Sequence, residues 1–99
     1  MTVALWRRSG SEQAHDITLY SQPGCHLCEN AEARIRRVLG RSASKLRVVN
    51  ILEDQELEDC YVFRIPVLSI NGIDVAEGEI TEATVRKALR SPAVSRGRL

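Results

Sequence analysis

Two cysteines separated by two residues, Cys25 and Cys28, have the type and spacing needed for joint redox chemistry. In disulfide exchange a thiolate attacks a disulfide sulfur and forms a mixed disulfide, which a second thiol can then resolve. Three residues are almost one helical turn, so the second sulfur can reach the first. The pair therefore predicts reversible thiol–disulfide exchange, with Cys25 as the nucleophile and Cys28 as the resolving thiol.

The surroundings of the pair favour this chemistry. A predicted strand over residues 17–20 and a Pro23–Gly24 turn precede it, and a predicted helix from residue 25 or 26 to residue 39 follows it. Free N–H groups at a helix N-terminus stabilise a thiolate. Gly24 leaves room for a substrate, and His26 either assists the thiolate or is simply exposed. The predicted apolar arc of the helix consists of Leu27, Cys28, Ala31, Ile35, Val38 and Leu39, whereas Arg34, Arg37 and Arg41 form a face that we expect to be solvated.

Other interpretations of the cysteine pair remain open. Structural zinc sites take four ligands, usually from two such pairs. Here His15, His26 and Cys60 would have to complete a zinc site at irregular spacing. The pair could instead serve metal or iron–sulfur binding across a dimer, or be retained in a non-catalytic adaptor. Its position between a strand and a helix favours redox chemistry, so no metal and no other cofactor is expected.

The remaining elements follow from periodicity and turn signals. Three further strands are predicted, over residues 46–52, 66–70 and 73–76, with an Asn71–Gly72 hairpin between the last two. A weak helix is predicted over residues 53–63, and a last helix after Thr81 as N-cap, with Ile80 and Val85 forming a hydrophobic staple. The order β-α-β-α-β-β-α predicts an α/β fold with a central four-stranded mixed sheet flanked by helices.

Cys60 is the third cysteine of the chain. It falls on the weak helix with Leu57 and Tyr61, at positions i, i+3 and i+4. Because free cysteine is among the most buried residue types, we expect Cys60 to be a buried spectator.

The size and charge of the chain limit its function class. Ninety-nine residues with a net charge of +1 predict one domain without general affinity for nucleic acid. We expect flexible tails over residues 1–14 and 91–99 around a domain of residues 15–90. No apolar run approaches the roughly 18 residues of a membrane span, and the start lacks the charge order of a signal peptide. The expectation is a cytoplasmic monomer without membrane contact.

Residues 19–28, LYSQPGCHLC, and residues 64–68, RIPVL, resemble the thioredoxin superfamily. More narrowly, the chain is similar over about residues 16–90 to small bacterial glutaredoxin-like proteins. The resemblance implies a thioredoxin fold, thiol–disulfide oxidoreductase activity and a redox-active disulfide between Cys25 and Cys28. It also implies a cis-proline at Pro66 opposite the pair, with the backbone of Ile65 pairing with the bound thiol substrate.

The chain departs from ordinary dithiol glutaredoxins in the region that receives glutathione. His26–Leu27 replaces Pro-Tyr between the cysteines, and Gln22 replaces a basic residue. Glu77, Glu79 and Glu82 lie where the family binds the glutathione carboxylate, so they would repel it. We therefore expect glutathione to be a doubtful co-substrate. A disulfide-containing protein or a small thiol is the expected substrate, and the reductant is glutathione or a thioredoxin-reductase-type enzyme.

Overall fold

A computed structural model of the chain describes residues 16–90. The two predicted tails, together with His15, lie outside the described residues, so the domain boundaries stay a prediction. The helices and strands in chain order are β1 (Ile17–Ser21), α1 (His26–Leu39), β2 (Leu46–Asn50), α2 (Gln55–Tyr61), β3 (Val67–Ile70), β4 (Ile73–Glu77) and α3 (Glu82–Arg90). Two 3₁₀ segments, Gly40–Lys45 and Ile51–Glu53, flank β2.

The four strands form one mixed sheet in the order β2-β1-β3-β4. Strand β1 runs parallel to β2 and antiparallel to β3, and β3 and β4 form an antiparallel hairpin. This arrangement confirms the predicted α/β class and element order, and it is that of a thioredoxin fold. Tyr20 lies opposite Val67, so the end of β1 and the start of β3 meet at the same edge of the sheet.

The main core lies between one face of the sheet and helices α1 and α3. Leu19 and Ile35 are fully buried there, and full burial of such a side chain is worth about 1.5–3 kcal/mol. Ile80 and Val85, the predicted staple residues, are both 1% exposed. The buried cluster comprises Ile17, Leu19, Ala31, Ile35, Leu46, Leu68, Ile70, Ile80 and Val85.

The opposite face of the sheet carries the short helix α2. Side chains alternate along a strand, so Thr18 and Tyr20 point away from the main core. The ring of Tyr20 stacks on that of Tyr61 at the end of α2, with 4.4 Å between the ring centroids. Thr18 is 4% exposed, and its hydroxyl accepts a hydrogen bond of 3.1 Å from Arg47. This face is therefore partly polar, and α2 is anchored to it by an aromatic contact.

Capping side chains set the element boundaries, and they explain two differences from the predicted lengths. Strand β2 ends at Asn50, because the Asn50 side chain accepts a hydrogen bond from the Leu52 amide and starts a 3₁₀ turn. Helix α2 begins two residues later than predicted, because Asp54 accepts from the Glu56 amide as its N-cap.

Two predicted local signals are confirmed. The Asn71–Gly72 turn has positive φ angles of 54° and 84° at its two residues, which suits a tight hairpin. Thr81 accepts a hydrogen bond of 3.1 Å from the Thr84 amide, so it is the N-cap of α3.

The predicted faces of α1 were partly wrong. Leu27 is 43% exposed, because it lies outside the arc of α1 that Cys28, Ala31 and Ile35 bury, about 40° beyond Ala31 around the helix axis. Arg37 and Arg41 are exposed, as expected of a solvated face, but Arg34 is half-buried. Arg34 pairs with Glu79, just before α3, and Arg37 pairs with Glu82, the first residue of α3.

The expectation that Cys60 is buried was wrong. Cys60 is exposed, whereas Leu57 and Tyr61 are half-buried. Leu57 and Tyr61 stand about 40° apart around the helix axis, and Cys60 lies about 100° from Tyr61. Helix α2 has only seven residues, and its contact with the sheet is centred on the Tyr61 side. Cys60 therefore faces solvent.

This exposure predicts a labelling result. When the oxidised, folded protein is treated with a maleimide, Cys60 should react at nearly the rate of a small peptide thiol. The reason is that the exposed thiol of Cys60 is open to the reagent without unfolding. Mass spectrometry should find one adduct, on Cys60, and none on a Cys60→Ser control. Labelling that requires prior denaturation would contradict the exposed placement.

Candidate functional site

The cysteine pair lies at the N-terminus of α1. Cys25 is the N-cap residue with extended backbone, and its sulfur accepts a hydrogen bond of 3.1 Å from the Cys28 amide. Its carbonyl accepts the first helical hydrogen bond from the Glu29 amide, at 3.0 Å. Cys25 and Cys28 form a disulfide with 5.1 Å between their Cα atoms, inside the usual range of about 4.4–6.8 Å. The same amide that holds the disulfide sulfur can stabilise a thiolate at Cys25 after reduction.

The two sulfurs differ in accessibility. Cys25 is half-buried at the surface, whereas Cys28 is 2% exposed beneath it. An incoming disulfide can approach only the outer cysteine directly. The arrangement therefore suits an attacking thiol at Cys25 and a shielded resolving thiol at Cys28.

Gly24 and His26 flank the nucleophile. Gly24 has a φ of +77°, and a Cβ added there would have no neighbour within 4 Å. The glycine is thus required by the turn conformation more than by lack of space. The His26 side chain is 89% exposed, and its Nδ1 lies 3.9 Å from a carboxylate oxygen of Glu29. In this oxidised state His26 is therefore an exposed helix-start residue directed toward Glu29.

Ile65 and Pro66 reach the same edge of the sheet as the disulfide. The Ile65–Pro66 peptide bond is cis, which is the isomer that the resemblance implies. Pro66 is buried, and its carbonyl accepts a hydrogen bond of 2.9 Å from the Gly78 amide. Because Val67 pairs with Tyr20, the preceding Pro66 lies beside the end of β1, from which the loop to Cys25 departs.

An open cleft of about 250 Å³ adjoins the cysteine loop. Residues 21–24 form one wall, and Glu29, Glu32, Val48 and Asn50 form the rest. Gln22, which stands where the family carries a basic residue, thus faces a cavity beside the nucleophile. Several hydrogen-bonding groups and two carboxylates line this cavity, so it offers little attraction for an anion.

A cluster next to Pro66 was missed in the sequence. Arg64 donates to Glu77 at 2.9 Å and to Asp74 at 3.2 Å, and its guanidinium carbon lies 5.1 Å from the centre of the Tyr61 ring. The Tyr61 hydroxyl lies 3.3 Å from both carboxylate oxygens of Asp74. Only the proximity of Arg64 to Pro66 along the chain could have drawn attention to this cluster.

The surroundings of Tyr61 and Arg64 in this cluster shift the pKa values of both side chains. Desolvation, followed by the negative charge of Asp74, raises the pKa of Tyr61. The hydrogen bond to Glu77 raises the pKa of Arg64, which keeps this guanidinium charged at any physiological pH. Both pKa shifts favour the protonated forms of Tyr61 and Arg64. In these forms Tyr61 can donate to Asp74, and Arg64 can donate to Glu77 and Asp74.

The carboxylates expected to repel glutathione each have an arginine partner. Glu77 pairs with Arg64, and Glu79 pairs with Arg34 at 3.3 Å. Glu82 lies 2.6 Å from Arg37 and 3.1 Å from Arg86, and the hydrogen bond from Arg37 holds its pKa below the usual range. The Gly78–Pro66 hydrogen bond places this acidic stretch beside the site. This stretch nevertheless repels an anion less strongly than three unpaired carboxylates would.

Two further findings concern residues 16–90 only. Within that range no group of three or more His, Cys, Asp or Glu side chains is placed to hold a metal ion. In the same range no helix is long and apolar enough to cross a membrane.

The sequence matches a protein-family model described as Glutaredoxin-like domain (DUF836) over residues 16–90. The chain belongs to this glutaredoxin-like family. The match spans all the described residues, including the cysteine pair and the Ile65–Pro66 segment. A thiol redox function fits both the family and the disulfide that the pair forms. A search of curated proteins found no match.

Solved structures agree with the fold of this glutaredoxin-like protein. The X-ray structure of the structural-genomics target protein XcR50 from X. campestris is 28% identical, with a TM-score of 0.66, and the match covers 76% of this chain and 96% of that one. The solution structure of protein Ne2328 from Nitrosomonas europaea is 29% identical, with a TM-score of 0.62, covering 75% and 88%.

Oxidised glutaredoxin 2 from Chlamydomonas reinhardtii is more distant. It is 22% identical, with a TM-score of 0.57 and coverage of 87% of this chain and 92% of that one. At this identity the likeness shows that the two proteins share a fold.

Proposed function

We propose that the protein is a thiol–disulfide oxidoreductase that exchanges disulfides with protein or small thiol substrates. One observation carries the proposal: a half-buried Cys25 caps a helix, with Cys28 shielded beneath it at disulfide distance. This is the arrangement required for attack by one sulfur and resolution by the other. The adjacent Ile65–Pro66 backbone offers a surface against which the substrate can be held.

The proposed cycle balances two electrons and two protons. The Cys25 thiolate attacks a substrate disulfide, forms a mixed disulfide with one substrate sulfur and releases the other as a thiolate that takes up a proton. Cys28 then loses its proton and attacks the Cys25 sulfur. This second step forms the Cys25–Cys28 disulfide and releases the remaining substrate thiolate, which is protonated in turn. No metal or other cofactor takes part.

Regeneration needs an external thiol reductant. Two glutathione molecules or one dithiol of a thioredoxin-reductase-type enzyme can supply the two electrons. We place the cycle in the cytoplasm, where thiols are kept reduced, and assign it to a monomer because both cysteines come from one chain.

Turnover of a peptide disulfide tests the proposal. With dithiothreitol as electron donor, the wild-type protein should accelerate cleavage of a disulfide between two short peptides well above the rate with dithiothreitol alone. Analytical centrifugation of the same sample checks the monomer. A rate equal to the uncatalysed background would contradict the enzyme and favour a non-catalytic adaptor.

The arginine pairing of the acidic stretch changes the expected salt effect on glutathione. Three unpaired carboxylates would repel the ligand, so salt would speed reduction of the oxidised protein. Because an arginine offsets each carboxylate, we expect the rate to change less than about twofold between about 0.02 M and 0.5 M salt. Quenched-flow thiol assays can follow the reduction rate. A severalfold rise of the reduction rate with salt would show that the arginines do not offset the repulsion between the carboxylates and glutathione.

A further inference from the structure

The open cleft beside the cysteine loop takes no part in the proposed exchange steps. Its volume of about 250 Å³ is below the roughly 300–1,000 Å³ of pockets that hold small molecules. The cleft therefore has room for one side chain and not for a cofactor. Its walls come from the turn of residues 21–24, from helix α1 and from the edge strand β2.

The cleft adjoins the nucleophile on two sides. Gly24, which lines it, is the residue before Cys25. Glu29, on another wall, follows one helical turn later and donates its amide to the Cys25 carbonyl at 3.0 Å. An extended chain advances about 3.3–3.6 Å per residue. A residue one or two positions from the substrate cysteine that is joined to Cys25 can therefore place its side chain in the cleft.

The lining combines apolar surface with a hydrogen-bond acceptor. Pro23 is exposed and Val48 is 40% exposed, so both offer apolar surface to an aliphatic stem. Gln22 is half-buried, and within residues 16–90 its side chain has no hydrogen-bond partner. Its amide oxygen can accept a hydrogen bond from a ligand. The lining thus suits a side chain with an apolar stem and a donor at its end.

Two glutamates give the cleft a negative charge. Glu29 and Glu32 lie three positions apart on α1, so they share one face of the helix. Glu32 pairs with Arg36 at 3.0 Å. The Glu29 side chain is 69% exposed, and its carboxylate lies 3.9 Å from His26, which is beyond hydrogen-bond distance. With His26 neutral, two carboxylates against one arginine attract a cation.

We propose that this cleft selects substrates by receiving a lysine or arginine side chain that flanks the disulfide cysteine of a peptide or protein. The stem of that side chain packs on Val48 and Pro23, and its cationic end meets Glu29 and Glu32. Gln22 stands where the family carries a basic residue, so the cation comes from the substrate. The proposal rests on the proposed disulfide exchange and specifies its substrate class.

Three peptide disulfides that differ only beside the cysteine test the proposal. The two flanking residues are both lysine, both glutamine or both glutamate, and each peptide is joined to the same neutral thiol. Each kcat/KM, with dithiothreitol as reductant, is divided by the uncatalysed rate constant for dithiothreitol, which removes differences in intrinsic reactivity. For the wild type we expect this quotient to be about three- to tenfold higher for lysine than for glutamine, and lowest for glutamate.

Charge variants should change the lysine-to-glutamine ratio in opposite directions. The double variant Glu29→Gln/Glu32→Gln should bring it within about twofold of one. Arg36→Gln removes the cation beside Glu32 and should raise the ratio, which a merely loosened fold would not do. Glu56→Gln is the matched control on α2, on the opposite face of the sheet, and should keep the wild-type ratio. Any change in Cys25 reactivity affects both peptides and cancels.

Binding without exchange gives a second readout. The lysine peptide with serine in place of its cysteine cannot react with the protein. Added to the oxidised wild type, it should shift the NMR signals of the Gln22 side-chain amide and the Val48 methyl groups, whereas the glutamate peptide should not. If the double variant does not fold, Glu29→Gln alone should weaken these shifts and lower the lysine-to-glutamine ratio by a smaller factor.

The outcomes are distinguishable. Equal quotients for the lysine and glutamine peptides would overturn selection by the cleft while the exchange activity itself stands. A lysine preference that persists in Glu29→Gln/Glu32→Gln, or that falls equally in Glu56→Gln, would place the selecting charge elsewhere and would also overturn it. A wild-type protein that cleaves none of the three disulfides would overturn the proposed function, and the inference with it.

Discussion

Replacement of Cys25 by serine is expected to reduce disulfide-exchange turnover to the uncatalysed rate. The hydroxyl of serine is not ionised at neutral pH and cannot replace the attacking thiolate. The shielded Cys28 sulfur, which is 2% exposed, cannot take over the role. Turnover of the peptide disulfide in the presence of dithiothreitol measures the loss, and Cys60→Ser is the matched control that should keep wild-type activity.

Cys28→Ser should behave differently from Cys25→Ser. Attack by Cys25 remains possible, but the mixed disulfide can no longer be resolved from within the chain. Mass spectrometry without added reductant should therefore find substrate bound covalently to Cys25. Adducts held mainly on Cys28 in the Cys25→Ser variant would reverse the roles that burial assigns to the two sulfurs.

Truncation of Ile35 to alanine is expected to lower the free energy of unfolding by about 2–5 kcal/mol. Ile35 is fully buried between α1 and the sheet, in the cluster that also contains Leu19 and Val85. The loss combines removed apolar contact with the cavity that close-packed neighbours cannot fill. Urea denaturation followed by circular dichroism measures it.

Val48→Ala provides the control for this truncation. Val48 is 40% exposed on the edge strand β2, so the same kind of shortening should cost less than about 1 kcal/mol. Similar losses at both positions would show that the core does not lie between α1 and the sheet as the structure places it.

Much of the fold and of the site could be predicted from short segments of the sequence. The Asn71–Gly72 turn and the Thr81 cap depend on residues within a few positions of one another, so their types suffice to locate them. The strand–turn–helix setting of Cys25 and Cys28 is equally local. The order of elements then restricted the sheet to few topologies.

Contacts between distant segments could not be predicted in this way. Arg64 and Tyr61 meet residues of β4 and β1 that only the assembled sheet brings near. Arg34 looked like an ordinary solvated residue because its partner, Glu79, lies 45 positions later in the chain. The burial of Cys60 was misjudged for a related reason. A seven-residue helix contacts the sheet over a narrow arc whose direction periodicity alone does not define.

The contacts of Arg34 on α1 with Glu79 and Ile80, just before α3, limit how this sequence can change over evolutionary time. The Arg34 guanidinium contacts Glu79 and also donates to the Ile80 carbonyl at 3.1 Å. Loss of Arg34 alone would leave both that carbonyl and a carboxylate without this donor, whereas loss of Glu79 alone would leave a cation that still binds the carbonyl. Substitutions at these two positions should therefore be correlated among relatives, with changes at position 34 tolerated mainly after changes at position 79.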